Sequence, residues 1–270
     1  MVASAGHGSK RLALAAWEPG ARFDLAEVKA CAMQVGADWQ LEGQKVLVLG
    51  GGGADGLLVS ACISGSPDLG LFLLPAGGPG QQLIAQTLFD GQGSAELTID
   101  EASGATLLCR GERSELLGQL ELALDRTVLA HCADTVGASA RAFEITREYL
   151  GTRSQFGKPI AANQVVQHRL VDMFVEIEEA RSLMRMTANL YDATASKSDP
   201  ELKRHLAATK AYVAQVAHHV WEESVQLHGA IGMTQEYEVG AYVRRLALAS
   251  NLFGDAALHL ERVATSSLNP

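Results

Sequence analysis

The chain has 270 residues, enough to bury the core of one large domain or two smaller ones, and its 47% of hydrophobic residues is ordinary for a globular protein. A formal net charge of −9 argues against a general role in binding nucleic acid or a membrane surface. No apolar run reaches the roughly 20 residues that a membrane span needs, and the opening MVASAGHGSK lacks the apolar segment of a signal peptide.

Strand signals come first along the chain. In residues 1–112, apolar runs of strand length alternate with glycine-rich turn signals, and no long helical pattern separates them. Short strands with such frequent turns favour antiparallel pairing, so we assign these residues to an antiparallel β domain. The predicted strands are LALAA (12–16), KVLVLG (45–50), GLLVSACI (56–63), LGLFLLP (69–75), AELTI (95–99) and ATLLC (105–109), and the turns include DEASG (100–104).

Residues 51–56, GGGADG, fit the pattern G-x-G-x-x-G directly after an apolar run. A dinucleotide site built on this pattern needs a helix to follow, because the pyrophosphate sits at the amino terminus of that helix. The residues that follow, LLVSACISGSPD, are instead typical of a second strand and a turn. A tight glycine turn between two strands therefore explains the motif better.

In residues 113–270, apolar residues recur at spacings of three and four, which is typical of helices. We predict four helices at roughly 114–150, 163–195, 200–228 and 237–265, with Pro200 at a helix start and Gly229 at a helix end. Long helices with short connections favour an antiparallel bundle. The predicted fold class is α+β, an antiparallel β domain followed by a carboxy-terminal four-helix bundle.

Neither the cysteines nor the histidines have the spacing of a metal site. The cysteines contain no CxxC pattern, and we predict them to be buried free thiols in a reducing, cytoplasmic compartment. They are Cys31, Cys62, Cys109 and Cys132. His218 and His219 are adjacent on one predicted helix, so they face different sides instead of forming the i, i+4 pair of a helix-borne zinc site.

Three segments of the helical half resemble the acyl-CoA dehydrogenase family. They are REYLGTRSQFGKPIAANQVVQHRLVDM (147–173), QLHGAIGMTQEYEV (226–239) and RRLALASNLFGDAALHL (244–260). In the first half, AAWEPGARFD (15–24) and GADWQLEGQKVLV (36–48) resemble the middle β domain of that family. The resemblance implies the family's middle and carboxy-terminal domains, FAD as cofactor and dehydrogenation of an acyl-CoA thioester. The family's amino-terminal helical domain is expected to be absent.

The resemblance also implies contacts with FAD. In the family, one subunit holds the isoalloxazine ring while its neighbour's helical domain holds the ADP half, through an R-x-x-F-G motif. The matching residues here are Arg153, Gln155, Phe156 and Gly157. A guanidinium group binds pyrophosphate oxygens in bidentate fashion, and glycine leaves a loop open for close approach. Without the resemblance, the same residues are typical of an exposed loop between helices.

A second implied contact lies at the end of the third predicted helix. Gln226, Leu227 and Gly229 match the family's Q-x-x-G-G pattern, but Ala230 replaces the second glycine. The added methyl group would crowd a nucleotide at this position, and a helix C-cap at Gly229 is the alternative interpretation.

The positions expected around the isoalloxazine ring depart from the family. Trp17 replaces the threonine of the family's T-E-P stretch. Leu47 and Leu49 occupy the positions of a tryptophan and a hydroxyl residue. Because leucine donates no hydrogen bond, we do not expect this chain to hold the ring in the usual way.

The position of the catalytic base departs furthest from the family pattern. α,β-Dehydrogenation needs a carboxylate to take the α-proton, and a well-placed base contributes roughly 10²- to 10⁴-fold in rate. Where much of the family has the glutamate of an E-G-[TS] triplet, this chain reads Phe253-Gly254-Asp255. A minority of the family has its base on the first carboxy-terminal helix, and Asp125 matches that position.

Leucine and valine at the helical neighbour positions of Asp125 would raise its pKa, as suits a base. Aspartate is nevertheless one methylene shorter than glutamate, and the geometry of a base is unforgiving. A carboxylate that meets a partner side chain or faces solvent is the alternative interpretation of Asp125.

These losses fit the degenerate small subunit of two-subunit, pimeloyl-CoA-type acyl-CoA dehydrogenases, which the ending LFGDAALHLERVA resembles. The resemblance implies an acyl-CoA substrate, an electron-transferring flavoprotein as acceptor, and a homo-oligomer or a hetero-oligomer with a catalytic subunit. Two alternatives stay open. One is a self-sufficient homo-oligomeric enzyme that uses Asp125, and the other is a non-catalytic helical scaffold without flavin.

Overall fold

The computed structural model describes residues 5–234 and 236–268. Residues 1–4 of the opening stretch and Gln235 of QLHGAIGMTQEYEV lie outside the described residues. The chain divides into two compact units, residues 1–121 and residues 122–270. Within the described ranges, none of the helices combines the length and the apolar character that a membrane span requires.

The first unit contains a sheet that closes on itself. Its strands are β1 (Leu12–Ala15), β2 (Cys31–Val35), β3 (Asp38–Lys45), β4 (Gly56–Ile63), β5 (Leu69–Pro75), β6 (Gln81–Thr87) and β7 (Gly93–Gly111). The pairing runs from β4 through β2, β3, β7 and β5 back to β4, while β1 lies beside β4 and β6 beside β7. Most pairs are antiparallel, as predicted, but β1 and β2 each run parallel to β4. Parallel neighbours need a long connection, and β3 with its flanking loops provides one between β2 and β4.

One strand prediction in this unit was wrong, and one predicted turn lies inside a strand. KVLVLG is not a strand, because β3 ends at Lys45 and the φ angles of Leu47 (51°) and Gly50 (71°) are left-handed values that interrupt an extended chain. AELTI and ATLLC belong to the single strand β7, which continues through DEASG with positive φ at Glu101 (47°) and Gly104 (80°). The strands β2, β3 and β6 were not predicted, and KVLVLG shares only Lys45 with β3. The strand β6 is mostly exposed and carries no alternating apolar pattern.

The GGGADG motif forms a short 3₁₀ turn at Gly51–Gly53, and β4 follows it directly. The predicted strand after the glycine turn is β4, but the strand predicted before the turn, KVLVLG, is not a strand. A methyl group on Gly51 or Gly52 would lie 2.8 Å from a side-chain carbon of Val48 or Ala85, respectively. These glycines therefore serve the close packing of the turn.

A buried ion pair crosses the core of the first unit. The Lys45 ammonium group donates to the Glu18 carboxylate at 2.8 Å and to the Ser60 hydroxyl at 3.2 Å. The same carboxylate accepts the backbone amides of Lys29 and Ala30 at 2.8 and 2.9 Å. Burial lowers the pKa of Lys45, and the neighbouring Glu18 opposes that shift. Both carboxylate oxygens of Glu18 therefore accept hydrogen bonds within the first unit.

Long helices follow the sheet: α1 (Arg113–Thr152), α2 (Gln164–Ala193), α3 (Pro200–His228), α4 (Val239–Ala249) and α5 (Ala256–Leu268). The helix α1 begins in the first unit, where Leu116 packs against Val28 and Leu69. A sheet unit followed by helices confirms the predicted fold class.

The ends of α3 lie where the sequence predicted them. Asp199 caps its amino terminus by accepting the backbone amides of Glu201 and Leu202 at 2.8 and 3.3 Å, with Pro200 in the first turn. Gly229 follows its carboxy terminus with a φ of 65°. Both predicted helix boundaries are confirmed.

The fourth predicted helix is two helices, α4 and α5, separated by residues 250–255. The chain leaves the helical path because Phe253 and Gly254 have φ angles of 62° and 102°. The apolar spacing continues across the interruption, since Leu252 and Phe253 are both buried within the turn. That continuity explains why the pattern predicted one helix.

Candidate functional site

A short hairpin follows α1. Its strands are β8 (Ser154–Gln155) and β9 (Lys158–Pro159), and Phe156 and Gly157 form the tip. The tip residues have left-handed φ angles of 53° and 78°, a conformation that favours glycine. The Phe156 side chain is fully exposed.

Arg153 lies where α1 becomes the hairpin. Its amide donates to the Tyr149 carbonyl at 2.8 Å, and its carbonyl accepts the Ile160 amide at 2.9 Å, so its backbone is fixed. Its side chain is exposed and pairs with no carboxylate of the described residues. A Cβ added to Gly151 or Gly157 would meet no atom within 4 Å. An exposed cation on a fixed backbone, beside open space, is suited to binding an external anion.

The second predicted segment lies at the end of α3. Gln226 is exposed and Leu227 is half-buried. The Gly229 amide donates to the Val225 carbonyl, so the glycine does cap the helix, yet a Cβ added there would meet nothing within 4 Å. Ala230 is exposed too. Capping and an open surface therefore coexist at this turn.

Aromatic contacts bring the two segments together. Tyr149, four residues before Arg153, stacks on His228, two residues after Gln226. Their ring centroids are 4.6 Å apart and their planes differ by 22°. Tyr237 contacts the two rings at 6.0 and 5.3 Å. The Arg153 and Gln226 segments thus lie at the same end of the helical unit.

His228 belongs to this region although the sequence analysis did not select it. Its Nδ1 lies 2.8 Å from the Ser224 carbonyl, and because a carbonyl only accepts, Nδ1 carries the proton. Its Nε2 is buried and has no hydrogen-bond partner among the described residues. Burial lowers the pKa of His228, which keeps the ring neutral and Nε2 an acceptor. Its only sequence signal was its place inside QLHG.

The first unit differs from the family pattern at the positions that the resemblance assigns to isoalloxazine contacts. Trp17 is buried, and its ring meets that of Phe23 edge-on at 5.4 Å. Its carbonyl accepts the Val46 amide at 2.9 Å. Leu47 is half-buried with a left-handed φ. Trp17 thus places an indole ring where the family motif has a threonine hydroxyl, and Leu47 places an aliphatic side chain where the motif has a tryptophan.

The Phe253-Gly254-Asp255 turn has a buried phenylalanine at the position where much of the family has its glutamate. Phe253 is buried, and its ring meets the His131 ring edge-on at 5.3 Å. Asp255 accepts the Leu258 amide at 2.8 Å and so caps the start of α5. Its carboxylate serves the helix.

Asp125 is half-buried on α1, and Val128 beside it is buried. It lies six residues before His131, the residue that contacts the Phe253 turn. Six residues correspond to roughly 9 Å along a helix axis. The role of Asp125 as a base stays a prediction.

The four cysteines are free. Cys132 is buried, and burial raises its pKa to about 12. Cys31 and Cys62, distant in sequence, are register partners on the parallel strands β2 and β4. No group of three histidine, cysteine or acidic side chains in residues 5–234 and 236–268 is arranged to hold a metal ion.

Known proteins resemble the chain along most of its length. Cyclohex-1-ene-1-carbonyl-CoA dehydrogenase from Syntrophus aciditrophicus is 31% identical over 244 residues, which are 87% of this chain and 58% of that protein. The mitochondrial long-chain specific acyl-CoA dehydrogenase of Sus scrofa is 31% identical over 242 residues, 86% of this chain and 55% of that one. The chain therefore spans little more than half the length of these relatives.

Solved structures share the fold. The Tcur3481-Tcur3483 steroid ACAD variant is 28% identical with a TM-score of 0.80, covering 98% of this chain and 69% of that one. The ChsE4-ChsE5 complex from Mycobacterium tuberculosis is 24% identical with a TM-score of 0.83, covering 99% and 69%. Residues 118–268 match the family profile described as acyl-CoA dehydrogenase, C-terminal domain. The chain belongs to the acyl-CoA dehydrogenase family.

Proposed function

We propose that the chain is a subunit of a flavin-dependent acyl-CoA dehydrogenase. In this proposal, Arg153 and Gln226 bind the diphosphate half of FAD, and a partner subunit supplies the catalytic base and the surroundings of the flavin ring. The observation that carries the proposal is the Tyr149–His228 stack, which joins the two segments at one end of the helical unit.

The residues at this end fit a diphosphate. The Arg153 guanidinium is exposed, and no carboxylate of the described chain neutralises it. The exposed amides of Gln155 and Gln226 add neutral donors. The open glycines of the hairpin and of the α3 turn allow a ligand to approach the backbone closely. Charge-assisted hydrogen bonds of this kind are the strong ones in nucleotide sites.

His228 offers further support. A buried imidazole nitrogen without a partner costs free energy, so such an atom calls for an explanation. His228 Nε2 is such an atom, two residues from Gln226. We infer that the surroundings of this nitrogen change when ligand occupies the site, and that Leu227 and Gly229 form part of the same surface.

The chemistry divides between this chain and a partner. FAD, when bound, supplies the two-electron acceptor for dehydrogenation of an acyl-CoA thioester. This chain binds FAD and orients it. At the turn where a base is expected, Phe253 accepts no proton and Asp255 caps a helix. A partner carboxylate therefore takes the α-proton in this scheme.

Exposed apolar side chains near the hairpin favour assembly with another subunit. Phe156 is fully exposed, and α2 exposes five large hydrophobic residues, of which Val165 is 67% exposed and Phe174 49%. The other three are Val171, Val175 and Met186. Clustered apolar exposure of this kind is typical of protein interfaces. We propose a homo-oligomer or a hetero-oligomer with a catalytic acyl-CoA dehydrogenase subunit, and an electron-transferring flavoprotein as electron acceptor.

The test is to purify the chain alone and together with an acyl-CoA dehydrogenase encoded beside it, and to record flavin absorbance and acyl-CoA oxidation. We expect flavin to be retained through purification, and acyl-CoA to be oxidised, only in the joint preparation. Flavin and turnover in the chain alone would favour a self-sufficient enzyme using Asp125. An absence of flavin from both preparations would favour a non-catalytic scaffold.

A further inference from the structure

Side chains from three helices hold the turn between α4 and α5, residues 250–255. The Ala249 carbonyl at the end of α4 accepts the Lys210 ammonium of α3 at 2.9 Å and lies 3.1 Å from His131 Nε2 of α1. At the other end of the turn, His259 Nε2 of α5 lies 2.9 Å from the Phe253 carbonyl. Because carbonyls only accept, both imidazoles donate from Nε2.

These donors are buried. Lys210 is 1% exposed, His131 8% and His259 2%. Placing a lysine in such a site is costly unless its nitrogen is hydrogen-bonded, and the Ala249 carbonyl meets that need. The last carbonyls of a helix lack partners within the helix and carry the negative end of its dipole. The lysine and the helix end are therefore complementary.

Charged and titratable groups surround the lysine. Burial lowers the pKa of Lys210 to about 8, and the nearby Cys132 and Asp255 oppose that shift. Burial likewise lowers the pKa of His131 to about 4, with Lys210 adding to the shift. An amine donates a hydrogen bond whether or not it is protonated, so the contact with Ala249 persists across neutral pH.

The turn that they hold has an unfavourable backbone. Phe253 has a φ of 62°, which is uncommon for a bulky residue. Gly254, at 102°, leaves no room for a side chain, since an added Cβ would lie 2.7 Å from Leu258 and 3.0 Å from His259 Nε2. Such conformations persist only when the surroundings over-determine them.

We propose that Lys210 and His131 are the positioning residues of this turn. By donating jointly to the Ala249 carbonyl, they fix the backbone that presents Phe253 at the position of the family's catalytic triplet. These hydrogen bonds lie within this chain, and only the importance of the turn for a dehydrogenase rests on the proposed function.

The test is amide hydrogen exchange on the full chain without added flavin. The amides of Asn251 and Leu252 donate to the Leu248 carbonyl of α4, and the Gly254 amide donates to the Asn251 carbonyl. Exchange of these three amides therefore reports the opening of the turn. Lys210→Met removes one donor and His131→Leu removes the other. His131→Gln retains an amide donor near the Nε2 position. As a control, Arg204→Met removes an exposed cation from α3, the helix that carries Lys210.

We expect each donor loss to raise turn exchange about threefold to tenfold. In the double variant, the rise in turn exchange is expected to exceed the product of the two single rises, because only this variant leaves the Ala249 carbonyl without a side-chain donor. His131→Gln and Arg204→Met are expected to stay near wild type, and exchange in β4 and β5 to stay unchanged throughout.

Unchanged turn exchange in Lys210→Met would overturn the proposal, as would an equal rise across α1, α2 and α3. Failure of His131→Gln to restore protection would also count against it. If the double variant does not fold, the single variants and the glutamine rescue decide the matter. Since neither flavin nor a partner is present, failure here is distinguishable from failure of the FAD proposal.

Discussion

At the residue scale, Asp125 separates the two enzymatic interpretations. If a partner supplies the base, Asp125→Asn should leave turnover of the joint preparation close to that of the wild type. If Asp125 is the base, its loss should lower turnover by about 10²- to 10⁴-fold. The measurement is the rate of acyl-CoA oxidation, with Glu121→Gln, an exposed carboxylate one turn earlier, as the control. A large loss confined to Asp125→Asn would contradict the subunit proposal.

The thiols should differ in reactivity. Cys132 is 1% exposed with a pKa of about 12, so on the order of 10⁻⁴ of it is thiolate at pH 8, and the thiolate is the reactive form. Iodoacetamide at pH 8 should modify Cys132 only after denaturation, whereas half-buried Cys31 should react in the folded chain. Peptide mapping by mass spectrometry distinguishes the two. Equal labelling of both in the native protein would contradict the burial described.

The residue types of the candidate site follow from the sequence, but their arrangement does not. Arg153 and Gln226 were selected through motifs that resemble a family. The stack that joins their segments pairs Tyr149 with His228, which are 79 positions apart, and no local pattern encodes such a contact. The cysteines give a second example, since Cys31 and Cys62 become neighbours only through the parallel pairing of β2 with β4.

At the element scale, the Glu18–Lys45 pair stabilises the closed sheet. Glu18→Gln should leave the buried Lys45 cation without its counter-charge, at a cost of about 3–5 kcal/mol in the free energy of unfolding. Urea denaturation of the two proteins measures the difference. Lys10→Gln is the control, because the Lys10–Asp55 pair is exposed, and such pairs contribute less than about 1 kcal/mol. Similar losses in both variants would contradict the role given to Glu18.

Element predictions succeeded where local signals agree. The strands 56–63 and 69–75 match β4 and β5 because each is a continuous apolar run bounded by turns. The run KVLVLG looked equally convincing but bends at Leu47 and Gly50. The interruption of the last predicted helix was missed because side chains from other helices, Lys210 and His131, stabilise it. Non-local contacts of that kind have no signature within the segment.

At the scale of the whole molecule, acid should destabilise the chain through its buried histidines. His131 and His259 have pKa values of about 4, below the ordinary 6.5, because burial disfavours their charged forms. The unfolded chain then binds more protons between pH 4 and 6.5. The contribution of the two neutral histidines to the free energy of unfolding is fully present above pH 6.5 and is lost as the pH falls towards 4. For the pair, this contribution is on the order of a few kcal/mol.

Denaturation midpoints measured from pH 7 to pH 4 check this prediction. His131→Gln removes one of the two titrations, so its stability should fall less steeply with acid than that of the wild type. Parallel curves for the two proteins would contradict the assignment of the acid sensitivity to buried histidine.

Calorimetric titration of the chain with ADP and with riboflavin tests whether Arg153 holds the diphosphate half of FAD. We expect ADP to bind and riboflavin not to bind, and Arg153→Gln to weaken ADP binding about tenfold or more. Lys158→Gln, which removes another exposed cation from the same hairpin, should change the affinity much less. Riboflavin binding without ADP binding, or an Arg153→Gln variant that binds ADP as the wild type does, would contradict this function of Arg153.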